Sequence, residues 1–528
     1  MDEKSIAVLP FDNYSEDKEK NQHICDGVMV AVRNNLSRIQ ELRVTPHTSV
    51  EQYRVKTASA FDIGQSLNVS YLLQGSVQRL EDRLRIDVAL VNTREDRVIW
   101  NESYEDDYGN LFEIQSRIAS LVAAQLEIIL TPEEKDRIEQ VPTANLDAWD
   151  LYLKGDATYM DMLFEARYDG YDSAMNYFRR ALALDPGLSE AYTGMAKTYW
   201  YVNWDTEFLK ENFMDSVRFW CEKSLEIYAY ESEAYALLGR YYSRTGEDDQ
   251  ALEQYKKAFE LDPNNSRVMF DFGRLLCFSR NYENGFRAMQ AAIRSDPQSI
   301  WLSEMYNNLG WAYMSIGNYD KSRSSLKLAL NLSTSLKDSI DALYALSHSY
   351  LMTGDAEEAL EYALLGLEID PRASRLIGEI YCVLLDRCEE GEAEYAKMVD
   401  LAPDQFDFKQ RLGMAKIING KHEEGRAIIE EQLSNWKQAY SLGRASLYDI
   451  AGMNAFLGNR EEAYRYLEML NETNGWFVGL HDYTEFDPFF DSIRHEPRFR
   501  KIMGETQAWM DSVRTIVDRL DFEDGFLD

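Results

Sequence analysis

Catalysis or metal binding would need His, Cys, Asp, Glu or Ser residues at spacings that bring them together. The six histidines lie far apart, at His23, His47, His348, His422, His481 and His495. They form no HExxH, and no two stand at i and i+4, the spacing that lays two imidazoles on one helical face for zinc. The chain has no GxxxxGK[ST] phosphate loop, no GxGxxG after a strand and no GxSxG nucleophile turn. Asp106-Asp107 and Asp248-Asp249 are paired acids in turn-like settings, which suits helix caps better than general acid/base work. Cys25, Cys221, Cys277, Cys382 and Cys388 include no CxxC pair. Four of them fall inside helical patterns and read as small buried hydrophobes, so no disulfide is expected. No catalytic, cofactor-binding or metal-ligating residue is assigned, and an enzyme is not expected.

What remains is chemistry suited to gripping another chain. Arg274, Tyr306, Asn307 and Asn308 stand just before or after a small residue in a helical pattern, where a groove-lining side chain is expected. An asparagine amide can hydrogen-bond a peptide backbone regardless of its sequence. Trp200, Tyr201 and Trp204 fall in an aromatic-rich extension within the second copy of a repeat, and Tyr159, Phe164 and Tyr168 in a similar extension of the first. Two readings of these extensions stand side by side: helices packing on their neighbours, or an edge that binds a partner.

These residues are positioned by a recurrence of 34 residues. In 232–265 it comprises Gly239, Tyr242, Gly246, Ala251, Tyr255, Ala258 and Pro263. One step on stand Gly273, Ala292 and Pro297, so that Asp262-Pro263 recurs as Asp296-Pro297. Gly310, Tyr313, Gly317 and Ala329 make a further copy, as do Tyr350, Gly354 and Ala359; Gly413 with Gly420 and Ala451 with Gly458 mark weaker ones. Upstream, Gly155, Ala174, Phe178, Ala181 and Asp185-Pro186 make a first copy, and Ala196, Tyr199 and Trp220 a second. Small residues let antiparallel helices approach, aromatics fill the space between, and proline ends the second helix. The pattern resembles the tetratricopeptide repeat and predicts about nine helical hairpins, with a concave face made largely by first helices. Gly155 to Ala174 spans 19 residues where Gly239 to Ala251 spans 12, which locates the extension of the first copy between its helices. The paired lysine, asparagine and arginine of chaperone-binding repeats are not reproduced, so recognition of an acidic chain terminus is not expected. Asp487-Pro-Phe-Phe490, Pro497-Arg-Phe499 and a helix from about Phe499 to Leu520 would cover the last repeat.

The first 135 residues read differently. Ser5-Ile-Ala-Val-Leu-Pro-Phe11 is a buried strand, Gly27–Leu36 has helical spacing, and Leu42-Arg-Val44 is a second strand. Thr48 with Glu51 fits a capping box. Tyr71–Arg79 and Leu84–Asn92 flank a turn at Glu81-Asp82-Arg83, and a third strand around Val98–Tyr104 precedes a helix from about Leu111. The order βαβαβββα predicts an α/β sandwich of two or three layers. Ser5–Asn13, Asp26-Gly27, Leu42–Val44, Leu67–Val77, Ile99-Trp100 and Phe112–Ala119 resemble the TolB-type amino-terminal domain. The resemblance implies a place between an upstream effector, such as a winged-helix DNA-binding or adenylate-cyclase domain, and a downstream repeat array, usually with one membrane span between.

The chain is thus expected to be mainly α: an α/β domain at 1–138, a repeat superhelix at 139–470 and a capping segment at 471–528. A formal net charge of −35 argues against direct nucleic-acid binding. No apolar run is long enough to span a membrane. The expected function is non-catalytic recognition of a protein or peptide in a bacterial envelope or signal-transduction protein. The resemblance implies a periplasmic location with an anchor or effector upstream; a free-standing cytosolic scaffold is the alternative.

Overall fold

The computed structural model describes residues 4–55, 58–165, 168–204, 213–370, 376–401, 406–441, 446–472 and 480–524. The chain divides into two compact units, Met1–Trp301 and Leu302–Asp528.

In the first unit, strands β1 (Ser5–Val8), β2 (Asp12–Asn13), β3 (Arg43–Val44), β4 (Tyr71–Leu80), β5 (Arg83–Asn92) and β6 (Arg97–Asp107) form one mixed sheet. Its order is β3-β1-β4-β5-β6, with β2 beside β4. β1 pairs in parallel with β3 and β4, whereas β4, β5 and β6 form an antiparallel meander. The first hairpin closes through Leu80 opposite Arg83, with Glu81 at φ 54°. Because successive side chains of a strand point to opposite faces, β1 serves two cores. Ile6 and Val8 face α1 (Lys18–Ser37), while Ala7 and Leu9 join Val50 of α2 (His47–Val50) and Ile63 of α3 (Ala60–Ser66). On the side of α1, α4 (Leu111–Gln125) and α5 (Pro132–Ile138) complete a three-layer domain. The capping box expected at Thr48 is not formed: α2 starts at His47 after Pro46, which places Thr48 inside the first turn. Glu51 pairs with His47 and Arg54 instead. A true capping box stands at Thr131 and Glu134, opening α5.

Nine helical hairpins follow among the described residues. The first four are Leu146–Phe164 with Tyr171–Leu184, Ser189–Trp204 with Phe213–Ile227, Ser232–Thr245 with Asp248–Leu261, and Ser266–Phe278 with Tyr282–Ser295. The second unit begins with hairpin 5, Leu302–Ser315 with Tyr319–Leu332, and hairpin 6, Leu336–Leu351 with Ala356–Ile369. In hairpin 7, Ile377–Glu379 runs into a π-helical stretch, Ile380–Leu384, before Cys388–Leu401. Hairpin 8 is Phe406–Ile418 with His422–Ser441, hairpin 9 is Leu447–Phe456 with Arg460–Glu472, and a closing helix spans Pro497–Asp524. The small residues of the repeat act as expected. A Cβ at Gly239 would stand 2.7 Å from the Tyr255 ring, and one at Gly310 would stand 2.6 Å from Leu326. The turn between paired helices needs a left-handed residue, supplied by Gly246, Gly317, Gly354, Gly420 and Gly458, with φ between 71° and 84°.

Within the first unit, the α/β domain rests on hairpins 1 to 4. A Cβ at Gly27 would lie 2.6 Å from Leu153, so α1 and hairpin 1 touch at backbone range. His23 Nε2 is 2.6 Å from Asp150 Oδ1. The Asp-Pro loops between repeats supply further contacts. Asp262 lies 3.7 Å from Arg33, and Asp296 accepts the Ser49 hydroxyl. Asn264 completes the edge of the sheet: its Oδ1 accepts from Val44 N at 2.8 Å, and its Nδ2 donates to Leu42 O at 2.9 Å and Ser37 O at 3.2 Å.

One expectation is corrected. Cys382 and Cys388 form a disulfide, with Cα atoms 3.8 Å apart, while Cys25, Cys221 and Cys277 are free and buried. The π-helical stretch and the positive φ of Asp386 fold both cysteines into one turn. Helical periodicity alone would not bring them together.

Candidate recognition surface

In a stacked array, the residue just after the small position of each first helix falls on the same face. In the first unit these are Asp156, Lys197, Arg240 and Arg274. The Lys197 ammonium pairs with Asp156 and lies 4.6 Å from the centre of the Tyr159 ring. Arg240 Nε donates to Asp271 Oδ2 at 2.9 Å, and Arg267 Nε donates to the same oxygen at 3.3 Å. Burial alone would raise the pKa of Asp271, but Arg267, Arg240 and Arg274 hold it down to about 2. Two guanidiniums lie over rings, Arg267 at 4.9 Å from Trp301 and Arg274 at 5.6 Å from Phe278.

In the second unit, the equivalent places hold Trp311 and His348. With Tyr344 they form an aromatic cluster, the centroids 5.2 Å apart for Trp311–His348 and 6.1 Å for each pair involving Tyr344. Asn307 Oδ1 beside this cluster is buried and has no hydrogen-bond partner among the described residues.

Further along the second unit, the chain fills its own face. Arg411 grips Asp487 through two bonds of 2.8 and 3.0 Å, and Tyr448 OH donates to Asp487 Oδ2 at 2.9 Å. Glu379 accepts from Tyr395 OH at 2.8 Å and from Tyr483 OH, and lies 3.4 Å from Arg411 Nε. Phe489 packs where a Cβ on Gly452 would be 3.1 Å away, and both Phe489 and Phe490 are fully buried. These are the Asp-Pro-Phe-Phe residues expected to cover the last repeat.

Of the candidates read from the sequence, Arg274 lies on the charged face and is half-buried. Tyr306 is half-buried, Asn307 has its orphan acceptor, and Asn308 donates to the Glu304 carbonyl at 2.9 Å. In the aromatic extension, Tyr201 donates its hydroxyl to Met162 O at 2.9 Å and packs on Tyr159 and Tyr168, and Trp200 lies against Phe213. Phe164 meets His47 of the α/β domain. All of these are contacts with neighbouring helices of the same unit; the side chain of Trp204 lies outside the described residues. Arg240, Arg267, Trp311, Tyr344 and His348 were missed. The 34-residue step from Arg240 to Arg274 was the signal that could have found the first. Among the described residues, no group of three His, Cys, Asp or Glu is placed to hold a metal, and no helix is long and apolar enough to cross a membrane.

Comparison with known proteins adds names. Residues 232–265 and 301–372 match tetratricopeptide repeat models, so this part of the chain is a tetratricopeptide array. Residues 2–121 match the second domain of the HilA/YgeH-like transcriptional regulators, rather than the TolB-type domain expected from the motifs of this segment. Among curated proteins, a putative adenylate cyclase 3 of Rhizobium meliloti (strain 1021) is 28% identical over 36% of this chain and 32% of its own length. Superkiller complex protein 3 of Mus musculus is 24% identical over 51% of this chain and 17% of its own length. The chain thus spans about a third or less of these relatives. Among solved structures, the APC/C hetero-tetramer Cut9-Hcn1 is similar with a TM-score of 0.41 and 14% identity, covering 57% of this chain and 63% of that one.

Proposed function

We propose that this chain is a non-catalytic recognition region of a bacterial envelope or signal-transduction protein, binding a protein or peptide partner on the face built by its first helices. Two observations carry the reading, one in each unit taken by itself: the charges one residue past the small positions of the first unit, at Lys197, Arg240 and Arg274, and the ring cluster at the same positions of the second, at Trp311 and His348. The seating of Asp487–Phe490 on the same face of hairpins 7 to 9 supports it, because that face already holds a turn of acidic and aromatic residues. A regulatory context is supported by the match to a transcriptional-regulator domain and by the adenylate cyclase named among the relatives. The Cys382–Cys388 bridge favours an oxidising, extracytoplasmic setting over the cytosolic alternative, since such bridges persist where thiols are not kept reduced.

Photo-crosslinking in the source organism tests the surface. A photoreactive residue at Arg274 or Trp311 is expected to capture a discrete partner, and one at Lys256, on an exposed second helix, is not. Equal capture from both faces, or from neither, would overturn the reading. A reporter enzyme active only after export, fused to the chain in its native gene, tests the compartment.

A further inference from the structure

The sheet of the α/β domain ends in two different ways. At one edge β3 is 2 residues long, and Asn264 takes up Val44 N and Leu42 O. At the other, β6 runs for 11 residues and among the described residues pairs with β5 alone. Just past its end, Tyr108 N donates to Asp82 O at 2.7 Å. Antiparallel pairing alternates, so Trp100, Glu102, Tyr104 and Asp106 turn their backbone groups to β5, and Asn101, Ser103 and Glu105 turn theirs outward. All three are exposed, and no hydrogen bond among the described residues reaches their outward amides. The run stops at a bulge on Ile99, where Leu90 pairs with Trp100 and Val91 with Val98. Such a row is a template for another strand, and its charge decides which strand can join.

That charge is negative. Arg83, Arg85, Arg97 and Arg117 pair one for one with Glu105, Asp87, Glu95 and Glu102. Asp106 and Asp107 are left over, exposed and held only by the Asn110 amide and by one backbone bond between them. The surplus disfavours a second copy of this chain. Among self-pairings that avoid the bulge, the one centred on Ser103 keeps acids from standing directly opposite, yet it still sets Glu102 diagonal to its own counterpart and to Asp106. We propose that the outer edge of β6 docks an extended basic segment of a protein partner as an added strand, joined through the backbone of Asn101, Ser103 and Glu105. This edge is separate from the first-helix face, so its failure would leave the recognition reading above standing.

The test uses the full chain and a capped peptide alternating lysine and valine. On binding, amide exchange at Asn101, Ser103 and Glu105 is expected to slow about tenfold or more, while the amides of Glu102 and Tyr104, already bonded to β5, change little. A glutamate–valine peptide, and a lysine–valine peptide with methylated backbone amides, are each expected to bind about tenfold more weakly or worse. Ser103→Pro removes an outward amide and none of the bonds to β5, a place where an edge strand tolerates proline, and is expected to weaken binding by a similar factor. Asp106→Asn with Asp107→Asn, which leaves the backbone untouched, should weaken it as well. Failure of the lysine peptide to bind would overturn the proposal. So would binding that leaves the three amides unchanged, because charge alone would then account for it. Amides already slow in the free chain, in a dimer that Ser103→Pro dissociates, would make the occupant a second copy and overturn it too.

Discussion

Two residues show how charge is managed away from water. Arg411 and Asp487 are 11% and 0% exposed and bond through two parallel contacts, with Tyr448 supplying a third donor to the carboxylate. Removing one partner strands the other, so Asp487→Ala is expected to cost about 3–5 kcal/mol, read as a lower urea midpoint for the second unit. Glu231 behaves in the opposite way. Burial, and then Glu190, push it up to about 8 against the pull of Arg38. In the unfolded chain a glutamate titrates near ~4.3. Between these values the folded state holds a proton that the unfolded chain has lost, so stability is greatest below the window and falls as pH rises through it. The Tm of the first unit is expected to drop between about pH 5 and about pH 8, and Glu231→Gln should flatten that slope. An unchanged slope in the variant would refute the assignment.

The helical elements were the most legible part of the sequence, because a repeat restates its pattern. Gly239, Gly310, Gly246 and Gly354 announce both the close approach of paired helices and the turn between them. The pattern also exposes its exceptions. Where hairpin 3 has Gly246, hairpin 4 has Arg280, at φ 66°. A left-handed backbone costs a non-glycine residue about 1 kcal/mol, and Arg280 is exposed with no packing to lose. Arg280→Gly is therefore expected to stabilise the first unit by up to about 1 kcal/mol, measured by chemical denaturation. What the sequence hid are pairings without a period. Asn264 finishing the edge of β3 joins residues more than 200 apart, the link from Tyr483 to Glu379 spans 104, and the Cys382–Cys388 turn depends on a π-helical distortion. Asn264→Ala would leave the Val44 amide without its acceptor. Its hydrogen exchange is expected to quicken while that of β4 and β5 stays slow, and a protected Val44 amide in the variant would contradict this account.

At the scale of the whole chain, the two units close their cores by different means. The first joins its sheet to hairpins 1 and 2 through one continuous core, in which Val28 and Ile118 share a cluster with Leu153 and Phe178. Among its described residues the second has no strand, and an array of hairpins leaves its last apolar face uncovered unless something caps it. Residues 480–524 are that cap: Tyr483, Phe489, Phe490, Ile493, Phe499 and Ile502 join the same cluster as Leu346, Ile380 and Tyr448. Ending the chain before Leu480 would expose this cluster and leave the charges of Arg411 and Glu379 without Asp487 and Tyr483. The truncated protein is expected to bind a hydrophobic dye and to lose the cooperative unfolding of the second unit. Residues 1–301 alone should keep a sharp transition, because none of their core residues lies in the deleted segment. If the truncated chain unfolded as cooperatively as the full one, the closing segment would be an ornament on a self-sufficient array, and the face it covers on hairpins 7 to 9 would be open to partners.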